Sequence, residues 1–251
     1  MLSTRGEAPG NIPRMLRRPP VDLEIVVPAF NEESRLPGTL TEVVGYLESR
    51  PWSSAIVVVD NDSVDGTLEA VGRFAHSPVK TYAIGCSEHG KGAAVRRGVV
   101  TSTARYTGFI DADNATPIAS LDQVMALLRQ GYPAVIASRR AVGARYEVEQ
   151  SLVRRGGGWM FRAAAHLLLP DIADTQCGFK FFDGPLVRAV AGNCHIKGFA
   201  FDVELLAQID RAGRRIAEVP VVWTDVPGST FSARRHGLRS MSDLVRISLS
   251  R

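Results

Sequence analysis

Short apolar runs rich in Val and Ile alternate with helical patterns from Val21 onward, and this alternation constrains the fold more than any other feature of the chain. It is the pattern of an α/β domain built on a mainly parallel sheet with helices on its faces. The runs are Leu23 to Val27, Ala55 to Val59, Val79 to Ile84, Tyr106 to Ile110 and Ala134 to Ala137. Between them the spacing predicts helices over Leu36 to Glu48, from Asp65-Gly66-Thr67 through about Phe74, over Ala93 to Val100 and over Leu121 to Arg129. Ala55 to Val59 is apolar throughout, as suits a central strand covered on both faces. After Arg139 the pattern changes to a basic loop, a helix over Trp159 to Leu168 and a Cys-Gly-Phe-Lys segment. An acidic helix around Val203 to Ile209 and a strand from Ile216 to Trp223 come next.

The ends of the chain read differently from its middle. Residues 1–20 carry Arg5, Arg14, Arg17 and Arg18 among Gly and Pro and are expected to be a flexible basic arm, with no apolar stretch of the kind a secretory signal needs. Residues 231–251 read as a basic amphipathic helix, with Leu238, Met241, Leu244, Val245 and Leu249 against Arg234, Arg235, Arg239 and Arg246. The domain proper is then 21–230. No apolar run approaches the roughly 20 residues that span a bilayer. Cys86, Cys177 and Cys194 are widely spaced, which argues against a zinc site or a disulfide framework and makes a reducing cytoplasm the default. The net charge is +4, and 26 of the 30 basic residues are Arg. A planar guanidinium fork suits phosphate, so the bias points to an anionic partner or to codon usage alone.

Ligands in open α/β sheets bind beyond the carboxyl ends of the strands, and four polar clusters fall at strand or helix ends here. Asp111-Ala112-Asp113 ends one strand with two carboxylates able to hold a hard divalent cation, which shares its coordination with water and substrate phosphate. Asp60-Asn61-Asp62-Ser63-Val64-Asp65-Gly66-Thr67 suits a nucleobase or ribose, while Asp65 also reads as a helix cap. Pro28-Ala29-Phe30-Asn31-Glu32-Glu33 ends the first strand. Gly90-Lys91-Gly92-Ala93 brings backbone N–H groups and a cation to a helix N-terminus, where an anion is favoured. His89, His166, His195 and His236 have no mutual spacing of a metal or catalytic pair.

The order of these motifs, continued by Asp174-Thr175-Gln176-Cys177-Gly178-Phe179-Lys180 and Phe201-Asp202-Val203-Glu204-Leu205-Leu206, resembles family 2 inverting glycosyltransferases of the GT-A fold. Within them it is most similar to the dolichyl- or polyprenyl-phosphate sugar synthases of the glucosyl type. The resemblance runs from about Val21 to Ser229 and implies a Rossmann-like nucleotide-sugar domain. It implies that Pro28, Ala29, Glu32, Asp60, Asp62, Lys91, Asp111, Ala112 and Asp113 bind the donor. Asp111 and Asp113 would meet the diphosphate through Mg2+ or Mn2+. Gln176, Asp113 and Asp202 would border the reacting centre, with Glu204 on the same helix as Asp202, and Arg139 and Arg145 would take the acceptor phosphate. Arg140, Arg154 and Arg155 lie in the same basic stretch. Two departures stand out: the common D-D-G-S is here Asp60-Asn61-Asp62-Ser63, and the expected S-K is Ser229-Thr230.

The function implied is transfer of a sugar from a nucleotide diphosphate sugar, a UDP-sugar by the motif pattern, to a polyprenyl phosphate. The implied setting is peripheral, on the cytoplasmic face of a membrane. A chain without a span then implies a membrane surface and a small multi-span membrane protein as partners, and no nucleic acid. A soluble enzyme with a hydroxyl acceptor and Asp202 as base, or a non-catalytic nucleotide-sugar-binding protein, are the alternatives.

Overall fold

The computed structural model describes residues 18–146, 152–224 and 233–249. Seven strands form one twisted sheet: β1 (Leu23–Ala29), β2 (Ser54–Asp60), β3 (Lys80–Gly85), β4 (Tyr106–Ile110), β5 (Ala134–Ser138), β7 (Phe179–Asp183) and β8 (Ile216–Pro220). Their spatial order is β3-β2-β1-β4-β7-β5-β8. Every pairing is parallel except those of β7, which runs antiparallel between β4 and β5. A two-residue ribbon joins β6 (Arg145–Tyr146) to β9 (Val222–Trp223). The apolar run of 216–223 is therefore two strands in two sheets. Pro220 ends β8, and an edge strand tolerates a residue without a donor.

Helices cover both faces. Helices α1 (Leu36–Glu48), α2 (Thr67–Gly72) and α4 (Leu121–Arg129) pack with Leu23, Ile25, Val27, Ile56, Val58 and Phe181 into one core layer. On the other face lie α3 (Lys91–Val100), α5 (Leu152–Leu168), α6 (Gly184–Gly192), α7 (Phe201–Arg211) and α8 (Ala233–Leu249), with Val26, Val57, Val59, Phe109 and Phe182 beneath them. Because successive strand residues face opposite ways, an uninterrupted run such as Ile56 to Val59 serves both layers. Leu244 and Ile247 of α8 are buried against this second layer, whereas Val245 and Leu249 are exposed.

Two expectations change. Arg18, inside the stretch expected to be a flexible arm, is docked: its guanidinium donates to both carboxylate oxygens of Glu24, each at 2.8 Å. Glu24 lies buried on the central strand β1, so it requires a counter-ion, and Arg18 supplies it. The helix expected from Trp159 begins earlier, at Leu152. Residues 1–17, Ser229 and Thr230, and the side chains of Arg154, Arg155, Arg234 and Arg235 lie outside the described part of the protein.

Candidate active site

Three parallel strands, β1, β2 and β4, end side by side, and the loop after each contains an Asx residue in the left-handed region: Asn31 (φ 55°), Asp62 (φ 68°) and Asn114 (φ 50°). Asn and Asp tolerate this conformation better than other residues with a side chain. The first two loops are laced together. Asn31 N–H donates to Ser63 Oγ at 3.0 Å, Val64 N–H to Asn31 Oδ1 at 2.9 Å, and Glu32 N–H to Thr67 Oγ1 at 2.8 Å. Asn61 secures the Gly90-Lys91 turn, donating to the carbonyls of Cys86 and Glu88 and accepting from Gly90 N–H at 2.7 Å. Gly90 has φ 123°, and a Cβ there would lie 2.2 Å from the Lys197 carbonyl oxygen. The segment leading into α7 thus comes close enough to require glycine.

A pocket opens at this rim. It is lined by the expected Pro28, Ala29, Glu32, Lys91, Asp111, Ala112 and Asp113, and also by Phe30, Arg35, Asn61, Ala94 and Phe199. Arg35 donates to both oxygens of Glu32, at 2.7 and 2.6 Å. Burial nevertheless holds the Glu32 carboxyl above its ordinary range, with Asp113 and Asp111 adding to the effect. Asp113 is likewise raised, by burial and then by Asp111. Lys91 Nζ lies 2.6 Å from Asp111 Oδ1. Burial pulls the Lys91 ammonium down, but Asp111, Asp202 and Asp113 outweigh it and hold it above its ordinary value.

Asp60 and Asp62 part company. Asp60 is buried, and its Oδ1 has no hydrogen-bond partner within the protein. A buried oxygen with no partner in the protein leaves a hydrogen bond to be made with water or a ligand. Asp62 is turned out to solvent, 3.8 Å from His89 Nε2, and neither Asp60 nor Asp62 is among the residues that line the pocket.

On the far side of Asp111 the chain carries the Asp174 to Lys180 segment. Arg139, just after the end of β5, grips Asp174 through Nε at 2.7 Å and Nη2 at 2.9 Å, and its guanidinium sits 5.4 Å from the Trp223 ring centre. Burial opposes ionisation of Asp174, yet Arg139 and the backbone N–H groups of Arg139 and Gln176 bring its carboxyl down to about 2. Gln176 is held by that same N–H bond to Asp174 Oδ1, at 3.1 Å. Lys180 is fully buried and donates to the Cys177 carbonyl at 2.5 Å and to Asp202 Oδ1 at 2.6 Å. Asp202, expected to face the reacting centre, is therefore a buried member of an ion pair. Glu204 accepts from the N–H groups of His195 and Ile196 and braces that turn instead. Arg145 is exposed on the β6–β9 ribbon. Burial pushes the Cys177 thiol up to about 11, which leaves it inert.

Asp111 and Asp113 suit a hard divalent cation. They stand two residues apart at one strand end, both line the pocket, and their carboxylates act on one another. Among the described residues no cluster of three or more ligating side chains exists. Such a site fits an ion that takes most of its coordination from water and a bound diphosphate. Sequence reasoning missed Lys180, whose only signal was its place in the Cys-Gly-Phe-Lys segment, and Arg35, which nothing in the sequence set apart from other arginines.

The family described as Glycosyl transferase family 2 matches residues 24–184. A dolichyl-phosphate beta-glucosyltransferase from Drosophila melanogaster is 31% identical over 252 residues, covering 94% of this chain and 77% of that protein. One of the same name from Mus musculus is 31% identical, covering 99% and 81%. The crystal structure of glucosyl-3-phosphoglycerate synthase from Mycobacterium tuberculosis with Mn2+, UDP and phosphoglyceric acid superposes with a TM-score of 0.68 at 20% identity, covering 92% of this chain and 78% of that one. That likeness shows the GT-A fold, and the motif order, the strand-end pocket and the sequence matches agree: the chain belongs to glycosyl transferase family 2.

Proposed function

We propose that this chain transfers glucose, with inversion, from UDP-glucose to the phosphate of a polyprenyl phosphate such as dolichyl phosphate, at the cytoplasmic face of a membrane. The observation that carries the reading is how carboxylates are sorted across the site. Asp111, Asp113 and Glu32 line the donor pocket, the first and last with cations of their own. The carboxylates of the neighbouring Asp174 to Lys180 segment and of α7, Asp174 and Asp202, are buried in ion pairs with Arg139 and Lys180, so neither is placed as a free base. A hydroxyl acceptor needs a positioned carboxylate base. A phosphate monoester, with a second pKa of about 6, already arrives as an oxyanion and needs cations rather than a base. The names of the relatives, which join a dolichyl-phosphate acceptor to a beta-glucosyl product, support the choice of sugar and acceptor.

In this reading the acceptor phosphate oxygen attacks the anomeric carbon opposite the UDP. The new carbon–oxygen bond forms as the bond to the diphosphate breaks, and UDP leaves. Asp60 accepts a hydrogen bond from the nucleobase through its orphaned Oδ1. Glu32 and Asn61 border the nucleoside, and Gln176 borders the sugar. Asp111 and Asp113 would hold Mg2+ or Mn2+, which when bound neutralises charge on the leaving diphosphate. Arg139 and the exposed Arg145 are the candidates for the acceptor phosphate. Among the described residues no helix is long and apolar enough to cross a membrane. For a lipid-borne acceptor the reading includes a membrane surface and a small multi-span membrane protein as partners.

Purified protein given labelled UDP-glucose, Mn2+ and dolichyl phosphate in detergent should move the label into the lipid phase. Asp113→Asn, or a chelator added to the wild type, should abolish that transfer while leaving the thermal melt near normal. Transfer to a soluble hydroxyl acceptor in preference to the lipid phosphate would overturn the proposal.

A further inference from the structure

Lys91 stands where a divalent cation is expected to act. Its ammonium is 2.6 Å from Asp111 Oδ1. A further carboxylate, Asp202, also favours the charged form of Lys91 and is itself paired with Lys180 at 2.6 Å. The two ammoniums share one aromatic floor, with Lys91 Nζ 6.0 Å and Lys180 Nζ 5.3 Å from the centre of the Phe109 ring.

Of the partners in the Lys91–Asp111 pair, Lys91 has the longer and more flexible side chain, whereas Asp111 is close-packed against the Gly178 backbone. Asp111 lies against the Cα of Gly178 so closely that a Cβ there would be 1.9 Å from Oδ2. Its N–H also donates to the Gly178 carbonyl at 2.9 Å. Lys180 in turn holds the Cys177 carbonyl, so the segment that backs Asp111 is anchored to a fully buried residue. Lys91 is the first residue of α3 and reaches Asp111 through a flexible four-carbon stem.

We infer that Lys91 is an exchangeable counter-ion, which neutralises Asp111 while the donor is absent and yields that carboxylate when metal and nucleotide arrive together. The inference rests on the donor reading above and assigns how that site is loaded. Asp111 and Asp113 carry two negative charges, of which Lys91 offsets one. A metal ion arriving alone must displace an ammonium from Asp111 and leaves the site positive. A metal ion arriving with a diphosphate brings the negative charge that the displaced ammonium then meets. Metal and nucleotide each strengthen the other's binding, by the same factor in both directions.

The test is binding, measured without turnover. Mn2+ titrations followed by the electron paramagnetic resonance signal of the free ion, with and without UDP, would be run on wild type and Lys91→Met. Wild type should bind bare Mn2+ weakly and gain about tenfold or more in affinity with UDP. Lys91→Met should bind bare Mn2+ about tenfold more tightly than wild type, because Asp111 no longer has an internal cation, and its gain from UDP should shrink. A Lys91→Met protein with an unchanged melt that binds bare Mn2+ no better than wild type would overturn the inference. Should that variant not fold, wild type alone decides: equal Mn2+ affinity with and without UDP overturns it. If wild type binds no UDP even with Mn2+, the donor reading itself fails and the inference with it; binding without coupling removes the inference alone.

Discussion

At Gly178 a single methyl group would displace Asp111, one of the two carboxylates proposed to hold the metal. A Cβ there would lie 1.9 Å from Asp111 Oδ2 and 2.1 Å from its Cγ, so Gly178→Ala must push Asp111 aside. Affinity for UDP with Mn2+ should fall by at least about tenfold, because a displaced Asp111 no longer meets the metal with its charge; calorimetry would show it, with a melt close to wild type. Asp174 makes a different kind of contribution. Its carboxyl is held at about 2 against an ordinary 3.8, so the ionised form stabilises the fold above the ordinary value. That stability, about 2 kcal/mol at neutral pH, disappears as pH falls through about 2. Asp174→Asn should therefore cost about that much in denaturant melts at pH 7, and its deficit against wild type should close in acid. The same residues show how far side-chain chemistry was legible in the sequence. Asp111, Asp113, Lys91 and Glu32 converge on one pocket because the loops leaving parallel strands all emerge at the same edge of the sheet. Asp62 reads like a ligand in the sequence, but its left-handed backbone accompanies a side chain turned to solvent. Nothing local in a sequence signals that turn.

The strand β7 was the least legible element, and Lys180 is the reason. Phe179–Asp183 is a five-residue aromatic run interrupted by a lysine, and a fully buried lysine makes sense only beside Asp202, 22 residues later. The parallel strands β1, β2, β4 and β5, by contrast, announce themselves by nearly uninterrupted burial, since each is covered on both faces. The strand read over Ile216 to Trp223 divides at Val221, because Pro220 closes β8 and Val222 turns to pair with Arg145. The β7–α7 ion pair supports a test that separates packing from function. Lys180→Met leaves Asp202 charged and buried without its partner, which should cost about 3–5 kcal/mol. The double variant Lys180→Met, Asp202→Leu should recover most of that stability in denaturant melts, since replacing both charges by apolar groups is often close to neutral. Transfer activity should stay low in the double variant, because the charge of Asp202, which also acts on Lys91, is gone. Recovery of activity together with stability would reduce the pair to a packing element.

At the scale of the molecule, the sheet's carboxyl edge must meet a lipid-borne phosphate if the proposed function holds, and two helices on one face are equipped for that surface. α5 and α8 pack together and bury Ala165, Leu244 and Ile247, yet they leave Met160, Leu167, Val245 and Leu249 exposed. Arg239 and Arg246 are exposed on the same α8. Apolar side chains beside arginines suit an interface with anionic lipid, where burial and electrostatic attraction add. The electrostatic part weakens as the Debye length falls from about 10 Å at 0.1 M salt to about 3 Å at 1 M. The protein should therefore sediment with vesicles containing phosphatidylglycerol, less so with pure phosphatidylcholine, and partly dissociate as salt rises. Replacing Leu167 and Leu249 with Ser should weaken sedimentation several-fold while leaving Mn2+–UDP binding unchanged, since neither lines the donor pocket. A reversible surface contact of this kind gives partial attachment, and the proposed membrane subunit is then expected to raise transfer to a lipid acceptor by holding the domain in place. Cell fractionation of the chain expressed by itself decides between the two: salt-resistant attachment with full transfer activity in the absence of any other subunit would show that the helices suffice.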